Sequence, residues 1–189
     1  MPNTLAIWHA DHLNFAKLLN LLEEQLGLFR EGESPDYQLM LDIMYYMTHY
    51  PDVLHHPKED LVFARIKERE SAAAPTIDKL SQQHGALKAC GEKLVHDLDD
   101  VVNGSIIERE RIETSALEYL ASFRDHMRIE ETDVMPLAAR LLRDKDWLAI
   151  DAAIRHIEDP LFGSRIDERY GAIAQQIERH SKGASALTR

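Results

Sequence analysis

Six side chains of metal-binding type recur in this 189-residue sequence at matched spacings. His55-x-x-x-Glu59 and His126-x-x-x-Glu130 are identical pairs, and each trails a solitary histidine: His12 precedes His55 by 43 positions, and His84 precedes His126 by 42. The two sets are offset by 71 or 72 positions. A histidine and a glutamate four apart leave a helix from the same face. Four helices could therefore aim four imidazoles and two carboxylates at one interior point, enough for two metal ions. Imidazole with carboxylate suits iron, manganese or zinc, and thiolate ligation is disfavoured because Cys90 is the only cysteine. Two bridging carboxylates with two histidines per ion leave an open position on each ion, even with an oxo or hydroxo bridge added. An open, redox-capable site can bind a small diatomic or peroxide, whereas a closed site only holds structure.

The elements that must position these residues read as long helices. From Thr4 to Phe29 the positions Leu5, Trp8, His12, Phe15, Leu19, Leu22 and Leu26 recur at intervals of three and four. Asn3 or Thr4 could cap this helix, and the segment from Arg30 to Pro35 breaks it. A second helix is expected from about Pro35 to Glu70, with a kink or local break where Pro51 and Pro57 fall. A third should run from about Pro75 to Val102, closed by Asn103-Gly104, and a fourth from about Ile106 to Leu142 with Pro136 near its end. Beyond lie a short helix holding Trp147, a turn at Asp159-Pro160-Leu161-Phe162-Gly163, and a last helix around Ile166–His180. No β-type alternation of any length appears. The fold expected is all-α: an up-down-up-down four-helix bundle over residues 1–143, with a C-terminal helical appendage over 144–189 packed on it. In an antiparallel bundle the six residues fall together at one end.

Composition narrows the classes of function. Hydrophobic residues make up 44% and charged residues 29%, ordinary for a globular domain, and the formal net charge of -11 disfavours nucleic acid and anionic membrane as partners. A single cysteine fits a reducing, cytoplasmic setting; the first residues lack a secretion signal, and no apolar run approaches the ~20 residues of a membrane span. The ferritin-like di-iron signature Glu-x-x-His and the zinc-protease signature His-Glu-x-x-His are both absent.

Four segments together resemble the hemerythrin-like, or HHE cation-binding, family: Trp8-His9-Ala10-Asp11-His12, Leu54-His55-His56-Pro57-Lys58-Glu59-Asp60, Gln82-Gln83-His84, and Asp125-His126-Met127-Arg128-Ile129-Glu130-Glu131. The resemblance spans about residues 4 to 142. It implies a four-helix bundle holding a non-haem di-iron centre, two iron ions with His12, His55, Glu59, His84, His126 and Glu130 in the ligand positions. Oxygen-carrying hemerythrins have a further histidine one turn from the helix-three ligand. Here those flanking positions are Leu80 and Lys88, so the chain resembles the four-His, two-Glu branch, which includes proteins linked to nitrosative stress and iron-centre repair.

Around the six, His9 and His56 are further ligand candidates, His56 where some relatives place an extra carboxylate. Asp60 and Glu131 read as solvated or hydrogen-bonding neighbours, and Asp11 could orient a histidine or favour the first helical turn. Tyr119 reads as a packed core residue with a satisfied hydroxyl. Phe15, Leu19, Phe63, Leu87 and Phe123 are expected to wall the metals. Cys90, His49, His96, His156 and His180 carry no expected role. The appendage is expected to cap the bundle, with a homodimer contact as the alternative. The function expected is binding of, or reaction with, oxygen, peroxide or nitric oxide at the metals, in stress response or iron handling. The rivals are a di-iron peroxidase- or oxidase-type enzyme and a metal-free helical interaction module.

Overall fold

The computed structural model describes residues 4–154 and 157–187, and among them the chain is all-helical, without a strand. Asn3, offered as a cap, and His156 lie outside the described residues. Helix α1 (Thr4–Arg30) buries Trp8, His12, Phe15, Leu19, Leu22, Leu26 and Phe29, the three-and-four spacing seen in the sequence. It ends because Gly32 takes a positive φ of 84°, which lets the Glu33 N–H reach back to the Leu28 carbonyl at 3.0 Å. Gly104, with φ of 89°, closes α4 (Ala74–Val102) in the same way, the Ser105 N–H meeting the Asp100 carbonyl at 2.8 Å.

The second rod begins where Asp36 accepts a hydrogen bond from the Leu39 N–H at 2.9 Å. It comprises α2 (Tyr37–Tyr50), a π-helical turn (Pro51–His55) and α3 (His56–Arg69). The break expected near its middle is this turn. Pro57 has no N–H, so the normal i→i−4 bond cannot form there, and the His56 N–H instead reaches the Pro51 carbonyl five residues back. The fourth rod repeats the device. Helix α5 (Arg109–Ile129) passes through a π turn (Glu130–Val134) into α6 (Met135–Leu141), the Met135 N–H bonds the Glu130 carbonyl, and Pro136 follows. That rod starts at Arg109 rather than Ile106, because Ile106 is fully exposed and gives a helix nothing to pack.

Helix α1 packs on α5 and α2, α2 on α4, and α4 on α5. Gly91 permits the close approach of α4 to α2: a Cβ there would meet the Thr48 methyl at 2.6 Å and Tyr119 Cε2 at 3.1 Å. Two hydrophobic clusters fill the interior. The larger includes Phe15, Leu22, Ile43, Tyr46, Leu94 and Phe123, and the smaller Trp8, Val62, Phe63, Ile77 and Ala138.

The C-terminal segment contributes to both. Helix α7 (Asp144–Ala153) buries Trp147 and Ile150 in the smaller cluster, while Leu161, Tyr170 and Ile173 join the larger. The turn at Asp159 is closed by its own carboxylate, which accepts from the Leu161 and Phe162 N–H groups at 2.8 Å and from the Tyr46 hydroxyl at 2.8 Å. The last helix, α8 (Gly171–Leu187), starts later than Ile166 because a short 3₁₀ turn (Glu168–Tyr170) precedes it.

Candidate metal centre

Between the two clusters lies a layer of buried polar side chains. Glu59 is 2% exposed and Glu130 is 0%, a burial that would be costly for either carboxylate without compensating charge. His12, His55, His56, His84 and His126 surround them, all buried. The layer sits inside the bundle rather than at its end, since α3 and α6 continue beyond it into the smaller cluster.

The carboxylates point their two oxygens at different histidines. Glu59 Oε1 lies 2.6 Å from His55 Nε2 and 3.7 Å from His12 Nε2, and its Oε2 lies 3.3 Å from His84 Nε2. Glu130 Oε2 lies 3.2 Å from His12 Nε2, and its Oε1 3.2 Å from His126 Nε2. Close as they are, these approaches lack hydrogen-bond angles. All four carboxylate oxygens remain buried without a donor, as do Nε2 of His56, His84 and His126. Orphaned buried acceptors on this scale are rare in native interiors. Nitrogen and oxygen lone pairs arranged around common points are what a bound cation requires.

Two such points are defined. His12, His55, Glu59 and Glu130 bring one ligand atom each to within 4.8 Å of one another, and so do His56, Glu59, His84 and His126. Glu59 belongs to both groups, and Glu130 faces His12 in the first and His126 in the second. The six residues singled out in the sequence are thus all brought together. His56 joins them as a seventh, stacked on His84 with ring centroids 4.3 Å apart. His9 does not: its ring is exposed and contacts Glu131 instead.

The π turn explains how adjacent residues His55 and His56 both reach the interior. On a regular helix neighbours diverge by about 100°. Here the wider turn ends at His55, where the rod changes register. The residue at the equivalent place in the fourth rod is Met127, so the second half supplies no matching histidine.

Each of the five imidazoles also carries an outer partner on Nδ1. His12 pairs with Glu131 at 3.1 Å, His55 with Asp11 at 3.0 Å, His56 with Asp52 at 3.0 Å, His84 with Asp60 at 3.1 Å, and His126 with Gln83 at 3.2 Å. With Nδ1–H donated outward, each ring in its neutral form presents the Nε2 lone pair inward, and an anionic acceptor makes that nitrogen more basic. Asp52 and Gln83 complete a set of which only Asp11, Asp60 and Glu131 drew notice in the sequence. The missing signal was positional: Asp52 lies four before His56 within the π turn.

Charge in the layer is mutually compensated. Burial alone would lower His12, but Glu130 and Glu59 raise it to about 10. Burial likewise opposes protonation of His55 and His84, yet Glu59 and Asp11 raise the first to about 9, and Asp60 and Glu59 raise the second to about 9. Glu59 is held well below the usual carboxylate range: burial pushes it up, and the surrounding histidines more than reverse this. For Glu130, burial and the Glu59 charge push up while His12 and His126 bring it down. Burial lowers His56, leaving it a neutral imidazole and a ready donor.

The wall is aromatic. Phe15 packs edge-on against His55 at 4.9 Å, Phe63 lies parallel to His84 at 5.7 Å, and Phe123 sits between His56 and His126. Leu19 and Leu87 belong to the larger cluster. Tyr119 is buried, its hydroxyl donating to the Met47 carbonyl at 3.4 Å. Cys90 is half-buried, its thiol 3.9 Å from the Ser115 carbonyl. His49, His96 and His180 are exposed.

A model of the hemerythrin HHE cation-binding domain matches residues 3–138. The chain belongs to that family. All seven buried donors fall within the matched span, so the hemerythrin domain accounts for a cation-binding centre, with iron the metal it implies. No curated protein and no solved structure matches the chain significantly. Among the described residues, no helix of this hemerythrin domain or of the segment after it is long and apolar enough to cross a membrane.

Proposed function

We propose that the four rods form an up-down-up-down hemerythrin bundle over residues 1–143, closed by the segment 144–189, and that it holds two iron ions. His12 and His55 serve one ion, His56, His84 and His126 the other, and Glu59 and Glu130 bridge them. The observation that supports this reading is the set of buried, donorless oxygens and imidazole nitrogens, together with their outward-held partners. The donor set is hard to intermediate, as iron prefers, and free of thiolate. A bound pair of irons would supply an open, redox-capable site for oxygen, peroxide or nitric oxide.

The chain's own residues decide where such a ligand goes. One group offers two histidines and the other three, so the side of His12 and His55 is the less filled. Phe15, Phe63 and Phe123 exclude water, which protects a bound small molecule from protonation and loss. The five outer acceptors hold the rings rigid, limiting the rearrangement needed when a ligand arrives or leaves. Small-ligand binding in stress response or iron handling is the role this arrangement supports. The test is anaerobic iron loading followed by nitric oxide or air, monitored by absorption and electron paramagnetic resonance. A stoichiometric spectral change is expected, and none with iron bound would refute an open site.

A further inference from the structure

A cavity of about 610 Å³ lies against this centre, between the N-terminal turns of α1, helix α3 and the C-terminal segment. Its inner wall includes His55, Glu59 and Trp8, and neither His56, His84 nor His126 lines it. It therefore meets the group that has fewer histidines. The volume is many times that of a diatomic and falls within the range of small-molecule sites.

We propose that this cavity binds an apolar, non-anionic organic molecule of roughly 10–20 heavy atoms beside the open side of the metal centre. The proposal rests on the reading of that centre. Ile7, Leu54, Val62, Ile154 and Ile157 make the lining chiefly apolar. Ile7 and Ile157 are 44% and 45% exposed, so the mouth itself is greasy, an arrangement that costs solubility unless something covers it. The charged groups select against anions. Among the described lining residues, the five carboxylates Asp11, Glu59, Asp151, Glu158 and Asp159 outnumber the basic side chains, which are Lys58, already paired with Asp151 at 2.6 Å, and the His55 imidazole. A carboxylate, sulfonate or phosphate on the guest would meet net negative charge in a site of reduced dielectric.

The C-terminal segment makes this site. Asp151 ties it to the bundle, through Lys58 and through the Thr4 hydroxyl, which donates at 2.9 Å. Without it, the lining residues of α1 and α3 would be an open surface. Trp8 stands between cavity and centre: it lines the first, and its indole nitrogen lies 3.0 Å from His12 Nε2, within reach of that lone pair whenever the ring is neutral. Once that nitrogen's lone pair is committed to a metal, the N–H must find another acceptor. A polar atom of the guest or of a ligand on the open side is the nearest opportunity.

Two dyes with one apolar body test this directly. N-phenyl-1-naphthylamine is uncharged, and 8-anilino-1-naphthalenesulfonate adds a sulfonate. Each is titrated by fluorescence into metal-free and zinc-loaded full-length protein. Saturable binding of one neutral dye per chain in both forms is expected, with the sulfonate at least tenfold weaker in the metal-free form. Ile7→Glu and Ile157→Glu, both at exposed positions, should weaken the neutral dye at least tenfold without changing metal content. In iron-loaded protein, saturating neutral dye should slow formation of the azide charge-transfer band at least tenfold. Equal affinity for both dyes, or affinity untouched by either glutamate, overturns the site. An unchanged azide rate overturns its connection to the centre. Dye binding with no metal uptake sinks the di-iron reading while leaving the cavity, and metal uptake with no dye binding does the reverse.

Discussion

Loading the metal-free protein with Zn²⁺ at pH 7.5 should expel close to three protons per chain. His12, raised to about 10, and His55 and His84, each raised to about 9, are all protonated at that pH when no metal is present. Coordination through Nε2, with Nδ1–H retained for the outer carboxylate, needs each ring neutral, so each gives up one proton. Histidines at the ordinary value of about 6.5 would be roughly one-tenth protonated at pH 7.5, and three of them would release only about 0.3 protons. The contrast is nearly tenfold. Calorimetry in buffers of different ionisation enthalpy reads it directly, and zinc avoids redox side reactions. The same protons tie metal-free stability to pH. Folded values raised above the unfolded one give stability that is full below pH 6.5 and is lost as pH rises through 9 and 10. Metal-free protein should thus weaken from pH 7 to 10 while its zinc affinity climbs. Release near zero, or stability of the metal-free form rising over that window, would refute the charge compensation described for the layer.

Other expectations are narrower. Glu59→Ala and Glu130→Ala each remove a carboxylate facing histidines of both groups, and bound iron should fall from about two to about one or fewer per chain by elemental analysis. Full occupancy in both variants contradicts the bridging assignment. His56→Ala should weaken one of two resolvable binding steps at least about tenfold and spare the other; two unchanged isotherms would return His56 to a packing role. Gly91→Ala should lower stability in urea by about 1 kcal/mol, the middle of a net range of about 0–2, with metal content intact. Overpacking against buried Tyr119 costs about 1–3 kcal/mol and outweighs a helix-propensity gain of at most about 1 kcal/mol.

The four rods were legible because their apolar positions keep helical spacing and their ends carry Gly32 and Gly104 where a left-handed residue is needed. That the six side chains would converge was legible because spacing within and between the pairs is a repeated arithmetic relation. His56 remained only a candidate for a physical reason. Periodicity assumes 3.6 residues per turn, and on that assumption His55 and His56 cannot both face inward. Pro57 announces a disturbance, but whether a proline produces a kink, a break or a π turn depends on what packs around it. The layer's depth was not legible: helices expected to run on to Glu70 and Leu142 already extend past Glu59 and Glu130, but spacing alone does not say that Phe63, Ile66 and Ala138 gather with Trp147 and Ile150 into a second apolar cluster there. The cavity could not be read at all, since it forms only where α7 and the segment after it meet α1 and α3.

Diffraction from crystals of iron-loaded protein, recorded on both sides of the iron absorption edge, tests the central claim most directly. Two anomalous peaks per chain are predicted, one beside His12 and His55 and one beside His56, His84 and His126, with Glu59 and Glu130 reaching both. A single peak, a peak that excludes either glutamate, or iron held elsewhere on the chain would contradict it.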